Sequence, residues 1–70
     1  MTYIHIPAST ILDEIANPDM PEKQIAMTYG LMMRQSDTPW AEINKAIIER
    51  CGMTGLLRVK KSAARWMKGR

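Results

Sequence analysis

Apolar residues recur along this chain at spacings of three and four, with proline and glycine marking the gaps between runs. That spacing places them on one face of a helix. A first short helix is expected over 9–17, with Ile11, Leu12 and Ile15 on its buried side. Ser9 or Thr10 can cap it, and Asn17-Pro18 ends it, because the residue before a proline avoids helical geometry. A second helix is expected over 20–35. Asp19 can cap it, Pro21 is tolerated in its first turn, and Glu22 stands three residues after the cap, as in a capping box. Ile25, Tyr29, Met32 and Met33 form its apolar face. Gly30 inside it costs about 1 kcal/mol against alanine and is read as room for the close approach of another helix.

The third helix, over 39–51, has the clearest signals. Thr38 caps, Pro39 takes the first helical position, and Trp40, Ile43, Ile47 and Cys51 share a face that Ile48 widens. Gly52 follows as a left-handed C-terminal residue. Thr54 then caps a fourth helix over 54–68, with Leu56, Val59, Ala63 and Trp66 along one side and Met67 adjoining. Ahead of the first helix, residues 1–8 read as an extended arm. Its β-prone stretch 2–6 either pairs with its own copy across a dimer axis or stays extended. The fold class expected is therefore all-α: a small domain of three to four helices with an extended N-terminal arm.

Length changes this picture in one respect. A chain of 70 residues buries only about 60% of the surface its unfolded form exposes, so its core is marginal. Cys51 is the only cysteine and His5 the only histidine, which leaves neither an internal disulfide nor a four-ligand zinc site as support. Self-association is then the expected support, as a homodimer. No stretch approaches the length of a membrane span, the N-terminal residues lack the pattern of a signal peptide, and a lone cysteine suits a reducing compartment. A cytoplasmic protein without membrane contact is expected.

Charge changes it further. All seven acidic residues precede residue 50, where only Lys23, Arg34 and Lys45 are basic; from Arg50 to Arg70 there are seven basic residues and no acidic one. Arg58, Lys61, Arg65 and Lys68 follow a line down the last helix. Such a stripe can neutralise phosphates or a carboxylate-rich protein surface, although positive charge also suits the C-terminal end of a helix. Trp66, flanked by Arg65 and Lys68, is the candidate exposed anchor, while Trp40 reads as core. Seven methionines is a high count, and Met33, pointing partly away from the Ile25–Tyr29 line, is a candidate contact that can repack against a partner. The partner-binding residues expected are thus Arg58, Lys61, Arg65, Lys68, Trp66 and Met33.

A glycine-containing turn between the last two helices invites comparison with a helix-turn-helix. If Gly52 is the turn glycine, Ile48 stands where a small residue belongs and Arg58 where an apolar one belongs. DNA binding through a divergent unit in 39–68, with Arg58 or Lys61 near base edges, is kept as the alternative reading. Catalysis is not expected. His5 has no carboxylate placed to orient it, Asp13 and Glu14 are adjacent and diverge on a helix, and there is no glycine-rich phosphate loop or metal-ligand spacing. No cofactor is expected either.

The run from Trp40 through Ile43-Asn44, Ala46-Ile47-Ile48 and Arg50, followed by Gly55-Leu56 and Val59-Lys60, resembles small early-region proteins of Mu-like transposable phages, among them the anti-quorum-sensing anti-activators of Pseudomonas phages. The resemblance implies a small dimeric protein in the host cytoplasm that binds a transcriptional activator, such as a quorum-sensing regulator, and disables it. A second host target, such as a pilus-assembly ATPase, is also implied. It carries over no particular binding residue.

Overall fold

The computed structural model describes the backbone of residues 5–68 and the side chains as far as Trp66. Among the described residues there are three helices and no strand: α1 (Ala8–Ala16), α2 (Glu22–Met32) and α3 (Trp40–Lys68). The fourth expected helix is the second half of α3. Helical assignment runs on through Gly52, whose φ of 79° and ψ of 174° break the geometry at that single residue.

Contacts along α2 give the topology. Trp40 and Asn44, in the first arm of α3, meet Tyr29 near the C-terminal end of α2, while Arg50 reaches the Met20 carbonyl just ahead of its start. Beyond Gly52 the order is inverted: Arg58 pairs with Glu22, and Ala63 packs on Gly30. The first arm of α3 therefore runs antiparallel to α2 and the second runs parallel to it. The chain reverses at Gly52, where a positive φ is cheap only for glycine. Gly55 is needed at the same bend, since a Cβ there would lie 2.1 Å from the Cys51 Cβ. Gly30 lets α2 and α3 approach closely, its missing Cβ facing the Ala63 carbonyl oxygen at 3.3 Å.

The core comprises Ile11 and Ile15 of α1, Ile25, Ala26, Tyr29 and Met32 of α2, and Ile43, Ile47, Leu56, Val59 and Ala63 of α3. Each fully buried branched side chain contributes roughly 1.5–3 kcal/mol relative to exposure. The two buried polar residues are both satisfied. Thr28 donates to the Gln24 carbonyl, and Gln35 clamps the backbone of Ile6, accepting from its N–H at 2.7 Å and donating to its carbonyl at 3.1 Å. The Gln35 amide thus does for Ile6 what a neighbouring strand would do.

Helix ends depart most from expectation. Neither Ser9 nor Thr10 caps α1, which begins slightly earlier at Ala8 with Pro7 as its N-cap and no side-chain cap. Nor does Asp19 cap α2: Asn17 Oδ1 accepts the Asp19 N–H in a local turn, and α2 starts at Glu22 after Pro21. Glu22 is then free to face Arg58 instead of completing a capping box. The Thr38 hydroxyl turns back to donate to the Met32 carbonyl, so it serves the end of α2 rather than the start of α3. α2 also ends at Met32, short of the expected 35. Of the expected arm, residues 5–7 are non-helical and held by Gln35, and His5 Nε2 lies 3.1 Å from Asp37 Oδ2. Most of the stretch expected to be β-prone lies outside the described residues.

Candidate functional site

Arg50 and Arg58, both counted in the basic stretch, make contacts within the fold, Arg50 half-buried and Arg58 at the surface. The Arg50 guanidinium donates to the carbonyls of Glu14, Ile15 and Asn17 at 3.2, 2.9 and 2.8 Å, and to that of Met20. These carbonyls lie at and beyond the end of α1, where a helix leaves its last acceptors unsatisfied, so Arg50 acts as a cap supplied by another helix. Arg58 makes a two-pronged pair with Glu22, with Nε to Oε2 and Nη2 to Oε1 both at 3.0 Å. The Arg58 hydrogen bond outweighs the opposing effect of burial and holds the Glu22 carboxyl below the ordinary glutamate range. Arg58 is correspondingly raised by Glu22. Arg58, expected as a steering cation, lies at the surface with its side chain 56% exposed and its guanidinium paired to Glu22.

The other expected contact residues lie at the surface. Lys61 and Arg65 are exposed and form no ion pair among the described residues; the side chain of Lys68 lies outside them. Met33 is 43% exposed and Trp66 45%. Met33 follows Gly30 by three residues and Trp66 follows Ala63 by three, so the Gly30–Ala63 contact between parallel segments carries both to the same end of the molecule. Leu31, 51% exposed, lies two residues before Met33 and so on the other flank of Gly30. Trp66 continues the apolar stripe of Val59 and Ala63 past the point where α2 stops, which is why it is uncovered.

Beside Met33 lies a shallow depression of about 430 Å³ lined by Tyr29, Met33, Trp40, Asn44 and Lys60. Its floor is the Tyr29–Trp40 pair, whose ring centroids are 4.5 Å apart at an interplanar angle of 43°. The Tyr29 hydroxyl donates to Asn44 Oδ1 at 2.8 Å, and burial pushes the phenol above its ordinary range. Trp40 is only half-buried, because the depression opens over it. Leu31 and Lys60 were not among the expected residues. Leu31 lies off the apolar stripe of α2, the one signal that could have marked it, whereas the role of Lys60 depends on which helix lies across from it.

Among the described residues no cluster of three or more His, Cys, Asp or Glu side chains could hold a metal ion. No described helix is long and apolar enough to cross a membrane. Cys51 is a free, half-buried thiol at the bend. The class these features define is a small all-helical domain with an apolar, cation-framed end. The chain matches no protein-family model, and no curated protein or solved structure matches it.

Proposed function

We propose that this protein is a small regulatory protein that acts by binding and not by catalysis. It docks the end of the α2–α3 seam onto a host protein and blocks that protein's working surface. The observation that carries this reading is the exposure of Met33 and Trp66 at one end of the seam, each about half exposed, with Leu31 exposed on the other flank of Gly30 and Lys60, Lys61 and Arg65 exposed on the adjoining arm. An apolar patch rimmed by charge marks an interaction surface, and tryptophan and methionine are the residues such surfaces favour. The resemblance to phage early-region proteins suggests the kind of target, a transcriptional activator such as a quorum-sensing regulator, in the host cytoplasm. A homodimer belongs to the same proposal, since a core of this size gains from a second copy.

The DNA-binding alternative is weakened by the engagement of Arg58, one of its two base-reading candidates, with Glu22. The test uses the intact chain as bait beside Leu31→Asp and Trp66→Asp variants, whose folding is verified by circular dichroism. One host protein should be retained in stoichiometric amount by the wild type and lost from both variants. Retention of duplex DNA with a steep salt dependence, unaffected by either substitution, would overturn the proposal. Light scattering after size-exclusion chromatography tests the dimer.

A further inference from the structure

Resting on the docking reading, we infer that the Tyr29–Trp40 depression is the pocket that selects the partner, and that it takes an apolar side chain lying next to a carboxylate on the docked protein. The floor is aromatic, the Met33 thioether forms a deformable lip, and none of the five lining residues is acidic. A flat or branched apolar group therefore meets ring faces and a polarisable sulfur, the surroundings that best replace water around it.

The polar rim has one sign. Lys60 brings an exposed ammonium to the edge of the depression, and neither ion pair found among the described residues involves it. Asn44 accepts from the Tyr29 hydroxyl through Oδ1, so its amide NH2 remains as a second donor. Two donors with a formal positive charge and no acceptor of matching strength fit an anion and reject a cation. Charge complementarity extends past the pocket, because the chain from Arg50 to Arg70 contains no acidic residue. The anchor and the anion must be neighbours, since Lys60 and Trp40 line the same small hollow.

The probes are a blocked phenylalanyl-glutamate dipeptide amide and its isosteric glutamine counterpart, titrated into the full-length 15N-labelled protein. The Trp40 indole N–H is distinguished from that of Trp66 by a Trp66→Phe spectrum. The glutamate peptide should shift Trp40 and bind about twofold to fivefold more tightly than the glutamine peptide, the range of an ion pair at an exposed lysine. Lys60→Gln, a change at an exposed position, should erase that preference and leave the fold intact. Equal binding of the two peptides, or shifts centred away from Trp40, overturns the inference. Binding of 4-phenylbutyrate with exclusion of the glutamate peptide also overturns it, by marking the pocket as one for a free small acid. The docking reading is judged separately by Leu31→Asp and Trp66→Asp, so either idea can fail while the other stands.

Discussion

Replacing Arg50 by methionine removes the one side chain that closes the end of α1 onto α3, and its cost can be worked from the contacts. Methionine keeps most of the aliphatic stem and deletes the guanidinium, taking a donor from all four carbonyls; those of Glu14 and Asn17 keep the Asn17 and Met20 N–H groups, while those of Ile15 and Met20 lose their side-chain donor. A hydrogen bond to a charged group is worth about 1.5–3 kcal/mol, but Arg50 is only half-buried, so water can recover several of these acceptors. A net loss of about 2–4 kcal/mol follows. At roughly 0.05–0.15 kcal/mol per residue, a chain of this length holds about 4–10 kcal/mol in all, so the substitution removes a large fraction. The corresponding fall in Tm is about 10–25 °C. Urea denaturation followed by circular dichroism, at fixed protein concentration to hold any association constant, measures the change. Arg50→Lys should restore less than half, because a single ammonium cannot span four carbonyls. A stability within about 0.5 kcal/mol of wild type for Arg50→Met would refute the reasoning, since this is the scatter of an ordinary surface change.

Gly55→Ala places a methyl 2.1 Å from the Cys51 Cβ and should destabilise by about 1–3 kcal/mol, the range of overpacking, as measured by urea midpoint. Gly52→Ala meets no neighbour but must adopt a φ of 79° with a ψ of 174°, so its cost should be backbone strain alone, about 1–3 kcal/mol. The Glu22 carboxyl is depressed in the folded state, chiefly by its hydrogen bond to Arg58. Its contribution is therefore fully present above the ordinary glutamate range and disappears as pH falls through the folded value. Thermal melts should accordingly show Glu22→Gln less stable than wild type at neutral pH, with the gap closing in acid; a gap that widens in acid contradicts the pairing. Gln35→Leu removes both bonds to the Ile6 backbone, so hydrogen exchange at the Ile6 amide should rise sharply while amides within α2 change little.

The helices were legible because their apolar spacing is a local property. Ile11 and Ile15, Ile25, Tyr29 and Met32, and Ile43 and Ile47 are buried on the faces that their periodicity picks out. Gly52 was legible for the same reason, as punctuation that a backbone reversal needs. The helix ends were not, because an orphaned carbonyl or N–H accepts any partner that tertiary structure brings near. Arg50 lies more than thirty residues from the carbonyls it satisfies at the end of α1. The Thr38 hydroxyl has its own helix on one side and α2 on the other, and the sequence says nothing about which it faces. The candidate site divides in the same way. Met33 and Trp66 are apolar residues at the ends of stripes, where a core runs out, and both are exposed. Lys60 becomes part of a site only because α3 folds back at Gly52 and brings it beside Trp40, a residue twenty positions earlier.

The same fold-back decides how much of the charge asymmetry is available to a partner. Of the seven cations from Arg50 onward, Arg50 and Arg58 are engaged with the rest of the molecule, and Lys60, Lys61 and Arg65 are exposed among the described residues. Adding Lys68 and Arg70, a nucleic acid could meet about five of them in each copy, a contribution near −4.5 per copy to the slope of log K against log salt. Duplex-DNA binding rests on such phosphate contacts and does not need a half-exposed tryptophan and methionine at one end of the molecule. A protein surface asks for the opposite balance: a few cations to steer approach and an apolar patch to hold. The residues left uncovered here have that balance, because the fold has already engaged Arg50 with the end of α1 and Arg58 with Glu22.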